Sequence, residues 1–138
     1  MPLIAWSEEY DVRVDEMNEQ HKTLIKMMNE LYQLNREGVA KTKVLGQMNS
    51  FFNFARSHFV SEEKYMESIQ YDGLRNHALI HRALLTTLSE LIVEYEACYE
   101  LVPDKFFMFL NKWLASHIKG MDKKYGEYAI EYLQAANA

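Results

Sequence analysis

The chain of 138 residues holds only two prolines and five glycines, and runs of β-branched residues are rare. Long stretches therefore pass without a backbone breaker. Apolar residues recur through them at steps of three and four, the period of a helix that buries one face. Four such segments stand out. The first follows Asn18, a good N-cap residue, repeats apolar side chains at Leu24, Met28 and Leu31, and ends near Gly38. The second runs from about Lys41 to Ser68, with Val44, Met48, Phe51, Ala55, His58, Glu62 and Tyr65 on one seam. The third begins near Leu74, after Asp72 and Gly73, and its apolar stripe takes in His77, His81, Leu84, Leu88, Leu91, Tyr95 and Cys98. The fourth starts around Pro103, a residue suited to a first helical turn, and carries Phe107, Leu110, Leu114 and His117 inward until Gly120. Residues 125–133 add a short C-terminal helix, and an extended arm precedes the first helix. Short connections favour antiparallel neighbours, so the predicted fold is an all-α, up-down-up-down antiparallel four-helix bundle, one domain over residues 1–138.

Composition removes several function classes. The net charge of −5 and the lack of Lys/Arg clusters argue against a nucleic-acid surface, which needs a concentrated positive patch. The N-terminal sequence has neither the basic start nor the apolar run of a signal peptide, and no later segment reaches membrane-spanning length, so a cytoplasmic location is expected. The single cysteine, Cys98, cannot form an internal disulfide and is expected to be a small buried residue on its helix stripe.

The bundle topology makes a demand on the five histidines. The start of the first helix, the end of the second, the start of the third and the end of the fourth meet at one end. His21, His58, the pair His77 and His81, and His117 occupy those positions in turn. At ~1.5 Å rise per residue they fall within roughly 15 Å of that end. The pair in "HALIH" projects from one helix face because residues four apart are one turn apart. Two carboxylates join them. Glu62 lies one turn beyond His58, and Asp122 follows His117 by five residues. A five-residue step on a regular helix rotates about 140° away, so Asp122 needs a break, which Gly120 is expected to supply as a left-handed C-cap.

Polar groups on inward seams cost several kcal/mol if left unsatisfied, and a shared metal centre would satisfy all of these together. Five imidazoles and two carboxylates are too many donors for one tetrahedral zinc and too poor in oxygen for calcium, whereas two transition-metal ions fit. A ferritin-like di-iron site is expected to show paired Glu-x-x-His motifs. None occurs: the residues three before the histidines are Asn18, Ala55, Leu74, Ala78 and Leu114.

The chain resembles the bacterial single-domain hemerythrins. The resemblance spans nearly the whole length and rests on Trp6 with Tyr10 and Val12, on "QHKTL" around His21, on "HFVSEE" from His58, on "HALIH", and on "WLASHIKGMDKKYG" around His117 and Asp122. Asn18 departs from the Asp often found just before the first ligand. The resemblance implies an oxygen-bridged centre of two non-haem iron ions with Glu62 and Asp122 bridging both. His77, His81 and His117 then complete one iron, while His21 and His58 hold the other and leave it open for dioxygen. It also implies an apolar side chain, Leu114, beside the bound oxygen. Around the ligands, Leu24, Ile25, Phe54, Leu84, Leu85 and Trp113 add apolar wall, and Tyr65 is expected near Glu62 in a hydrogen bond of the outer shell or core. The implied function is reversible dioxygen binding by a monomer, for carriage, storage or delivery to an oxygen-consuming protein, without enzymatic turnover. An open di-iron site also admits peroxide or nitric oxide reduction, and the family includes oxygen sensors.

Overall fold

A computed structural model describes residues 3–137. After a 3₁₀ turn at Glu8–Tyr10 come α1 (Asp15–Arg36), α2 (Lys41–Ser68), α3 (Leu74–Cys98), α4 (Asp104–Ser116), a π-helical turn (His117–Asp122) and α5 (Lys123–Ala136). No strand occurs among the described residues, and the helices form the antiparallel four-helix bundle that the periodicity predicts. Met28, Leu31, Met48, Phe51, Leu88 and Leu110, drawn from the four long helices, are fully enclosed and hold the bundle along its length. None of the helices is long and apolar enough to cross a membrane.

Several expectations change. Helix α1 starts at Asp15, with Asp15 and Glu16 set favourably in the positive first turn, so Asn18 lies inside the helix and does not cap it. Its amide holds the arm instead: Oδ1 accepts the Val12 N–H at 3.0 Å and Nδ2 donates to Asp11 Oδ1 at 2.8 Å. The fourth helix does not stop at Gly120, because the π turn carries the chain without interruption into α5, which extends from Lys123 to Ala136. Cys98 is exposed rather than buried, as the last residue of α3, beyond the enclosed turn at Tyr95.

The arm lies against the bundle through directional contacts. Asn29 Oδ1 accepts the N–H groups of Leu3 and Ile4, and its Nδ2 donates to Ile4 O at 2.7 Å. Farther along, the Val12 carbonyl closes on Gly126 of α5 so tightly that a Cβ there would overlap the oxygen. This approach is what glycine permits and no other residue does. Gly46, exposed in the second turn of α2, faces open space.

The two glycines should therefore respond oppositely in denaturant unfolding. Gly126→Ala is expected to lose about 1–3 kcal/mol by forcing arm and α5 apart. Gly46→Ala is expected to gain about 0.5–1 kcal/mol from helix propensity.

Candidate metal centre

The backbone brings all seven predicted residues to one end of the bundle. His21 comes from the second turn of α1, His58 and Glu62 from α2, His77 and His81 from the first two turns of α3, and His117 and Asp122 from the two ends of the π turn. Each is buried, with His117 the least enclosed at 6% exposure. The π turn explains the last pair. Its hydrogen bonds close on residue i+5 rather than i+4, so the residue five positions on returns beside the first. Gly120 is not the device that turns Asp122 inward: it lacks a positive φ, is exposed, and would meet nothing with an added Cβ.

Six short contacts tie the imidazoles to the two carboxylates. Glu62 Oε1 lies 3.3 Å from His58 Nε2 and 3.1 Å from His81 Nε2, while Oε2 lies 3.2 Å from His21 Nε2. Asp122 Oδ1 lies 2.9 Å from His77 Nε2 and 3.1 Å from His117 Nε2, while Oδ2 lies 3.1 Å from His21 Nε2. Distance alone would make these ion pairs. Yet Nε2 of His77, His81 and His117, Glu62 Oε1 and both Asp122 oxygens have no aligned hydrogen-bond partner. These atoms crowd together without pairing, which is what donors placed around an ion would do. Neighbouring donors on a six-coordinate ion at about 2.1 Å are about 3 Å apart, close to the spacing observed.

The donors fall into two overlapping groups, each with its ligand atoms within 4.8 Å of one another. One comprises Glu62, His77, His81, His117 and Asp122, the other His21, His58, Glu62 and Asp122. Both carboxylates belong to both groups.

Without an ion, charge pairing organises the cluster. Burial works to lower the His21 pKa, but its contacts with Asp122 and Glu62 outweigh this and hold it up at about 9. His81 is likewise raised, against burial, by Glu62 and Glu63. Burial would raise the Glu62 carboxyl, but the surrounding His58, His21 and His81 hold it well below the usual carboxylate range. Asp122 is lowered too, by His117 and His21 against burial and the charge of Glu62.

An outer layer orients these groups, and most of it is not evident from residue order. Gln20 Oε1 lies 2.6 Å from His58 Nδ1, and Glu63 Oε2 lies 2.9 Å from His81 Nδ1. Each can accept the Nδ1 proton and so leave Nε2 free for a metal. The tyrosine on Glu62 is Tyr125, whose hydroxyl donates to Oε2 at 2.6 Å, and not Tyr65, whose ring instead packs edge-on against Tyr125 with centroids 6.0 Å apart. Burial and the nearby Glu62 and Asp122 raise the Tyr125 pKa far above its ordinary value, so the hydroxyl stays a donor. Phe59 stacks flat on His81 at 3.8 Å between centroids and 9° between planes. Gln20 and Glu63 adjoin ligand candidates in sequence, and that adjacency is the available signal. Phe59 and Tyr125 carry none beyond their place in the family-like motifs. Of the expected apolar wall, Leu24, Ile25, Trp113 and Leu114 are buried, whereas Phe54, Leu84 and Leu85 are half-buried.

Residues 12–129 match the family model described as the hemerythrin HHE cation binding domain. A bacteriohemerythrin of Stenotrophomonas maltophilia is 27% identical over 135 residues, covering 96% of this chain and 86% of that protein. One of Pseudomonas aeruginosa is 30% identical over 127 residues, covering 91% and 80%. A hemerythrin of Sipunculus nudus is 28% identical over 121 residues, covering 88% and 89%. Among solved structures, a wild-type hemerythrin superposes with a TM-score of 0.82 at 27% identity, covering 91% of this chain and 96% of that one.

The outer layer is testable by chelator competition. Glu63→Ala and Gln20→Ala should each weaken metal retention about ten- to hundredfold, since each frees one imidazole to rotate or change tautomer. Gly120→Ala should retain the parental metal content.

Proposed function

Because the chain belongs to the hemerythrin family, we propose that it is a non-enzymatic dioxygen-binding protein with two non-haem iron ions, one in each of the overlapping donor groups. The observation that carries this reading is the sharing of Glu62 and Asp122 between a three-imidazole and a two-imidazole group. His77, His81 and His117 would hold one ion and His21 and His58 the other, with both carboxylates bridging. When bound, the iron pair supplies the electrons for reversible oxygen binding, and the ion with fewer imidazoles has room for the ligand.

The chain's own residues provide the conditions for reversibility. Tyr125 holds Glu62 in one orientation through its hydroxyl, and Gln20 and Glu63 fix the imidazoles of His58 and His81. Phe59, flat against His81, limits rotation of that ring. Leu24, Ile25, Trp113 and Leu114 are buried and exclude water, whose protons would open irreversible routes for reduced oxygen. Leu114, one turn before His117 and 1% exposed, serves in this reading as the apolar side of the oxygen pocket. Residues 1–138 act as one domain and as a monomer, for oxygen carriage, storage or delivery to an oxygen-consuming protein.

Anaerobic reconstitution with ferrous iron tests the reading. The expected result is two irons per chain, matching the two donor groups, with optical spectra that cycle on repeated oxygenation and deoxygenation. One-way conversion to the diferric form, with peroxide or nitric oxide turnover when reductant is supplied, would favour an enzyme instead. Leu114→Ala should shorten the lifetime of the oxygenated form several-fold while leaving iron content unchanged.

A further inference from the structure

Helices α3 and α4 approach each other less closely than α1 and α2 or α2 and α3 do. Between them lies a cavity of about 400 Å³, open to solvent and walled by Ile80, Leu84, Phe109 and Trp113. Its size falls in the range of small-molecule sites. The aromatic wall is formed by Phe109 and Trp113, whose centroids are 6.2 Å apart and planes 33° apart, a surface suited to a flat ring.

Three polar residues, Lys112, Ser116 and His117, line this apolar slot, and two of them carry the argument. The first is His117, which lines it. Nε2 of His117 is wholly enclosed and lies beside Asp122, so the small exposure of its side chain belongs to other atoms. A ligating imidazole ordinarily donates its second ring N–H to an oxygen. His58 and His81 have Gln20 and Glu63 for this purpose, Nδ1 of His21 and His77 is enclosed without a partner, and of the five imidazoles His117 is the one that lines the slot. An acceptor oxygen on a molecule in the slot would do the same for His117. The second group is Lys112. It also lines the slot, and among the described residues it forms no ion pair, whereas Lys105 is paired with Glu94 and Lys119 with Glu9.

We infer that the slot between α3 and α4 binds a small planar aromatic of the hydroquinone and quinone class carrying an anionic substituent, and that electrons enter the centre there through His117. The ring lies against Phe109 and Trp113, a ring oxygen accepts from the His117 imidazole, and the anionic group faces Lys112. The electron step rests on the proposed iron content. One hydroquinone loses two electrons and its two hydroxyl protons and becomes the quinone. Each of two ferric ions takes one electron, and the protons pass to water at the open mouth. An oxygen-binding protein whose iron has oxidised regains its ferrous form by this route.

Equilibrium dialysis of the purified protein against a naphthoquinone sulfonate measures occupancy, and anaerobic mixing of the diferric protein with the corresponding hydroquinone measures reduction. The expected result is saturable binding of one equivalent and a reduction rate that saturates with it. Lys112→Glu should weaken both by about tenfold through like-charge repulsion. Leu84→Trp and Ile80→Phe, which fill the slot from α3, should abolish both. Reduction by dithionite should be unchanged in all three, which separates loss of the slot from damage to the centre. Absence of saturable binding overturns the inference, as does binding or hydroquinone reduction at parental levels in all three variants. Iron stoichiometry of the same sample keeps failure of the iron reading distinct from failure of the slot.

Discussion

Seven polar side chains buried together at one end of a helical bundle impose a condition that the rest of the molecule must meet. Isolated, each would carry a desolvation cost of several kcal/mol. Packed with their ligand atoms close together, they become acceptable only when all arrive, and they come from four separate stretches of chain. A single misplaced contributor leaves the remainder as uncompensated buried charge. The apolar core along the bundle axis, from Met28 and Met48 to Leu88 and Leu110, supplies the rigidity that holds the four contributors in register.

Precision at the cluster comes from neighbours that never reach its centre. Glu62 is held from outside by Tyr125, His58 by Gln20, and His81 both by Glu63 at its edge and by Phe59 on its face. These contacts restrict rotation and choose the nitrogen that faces inward. Nδ1 of His21 and His77 is enclosed without a partner, and His117 differs from the other four in lining a slot. The N-terminal arm runs beside α1, fastened at Asn29 in that helix's second half and at Asn18 near its start, with the Val12 carbonyl against Gly126 of α5.

The bundle and its polar end are legible in the sequence because helical period and antiparallel topology are both local consequences of residue order. With helix boundaries near Lys41, Ser68 and Leu74 read from the chain, the histidines can only gather at one end. The start of α1 departs from expectation because an asparagine suited to capping is used for a contact with the arm, a choice made by a segment six residues away. Cys98 sits on an apolar stripe in sequence, but the enclosed part of the helix ends at Tyr95, before it. Tyr65 shares a seam with Glu62, which makes it the expected partner, whereas Tyr125 reaches the carboxylate from a helix whose path depends on the π turn.

Residue order by itself determined the four helical segments, their antiparallel order, the gathering of five histidines with Glu62 and Asp122, and the family likeness. Tertiary structure alone decided how Asp122 turns inward, which groups hold the imidazoles of His58 and His81, where the arm is pinned and where a slot opens beside His117. The division has a physical reason. Periodic burial is a property of neighbours along the chain. A π turn, an outer-layer hydrogen bond or a gap between two helices is a compromise among side chains brought together from distant positions, and no local pattern records it.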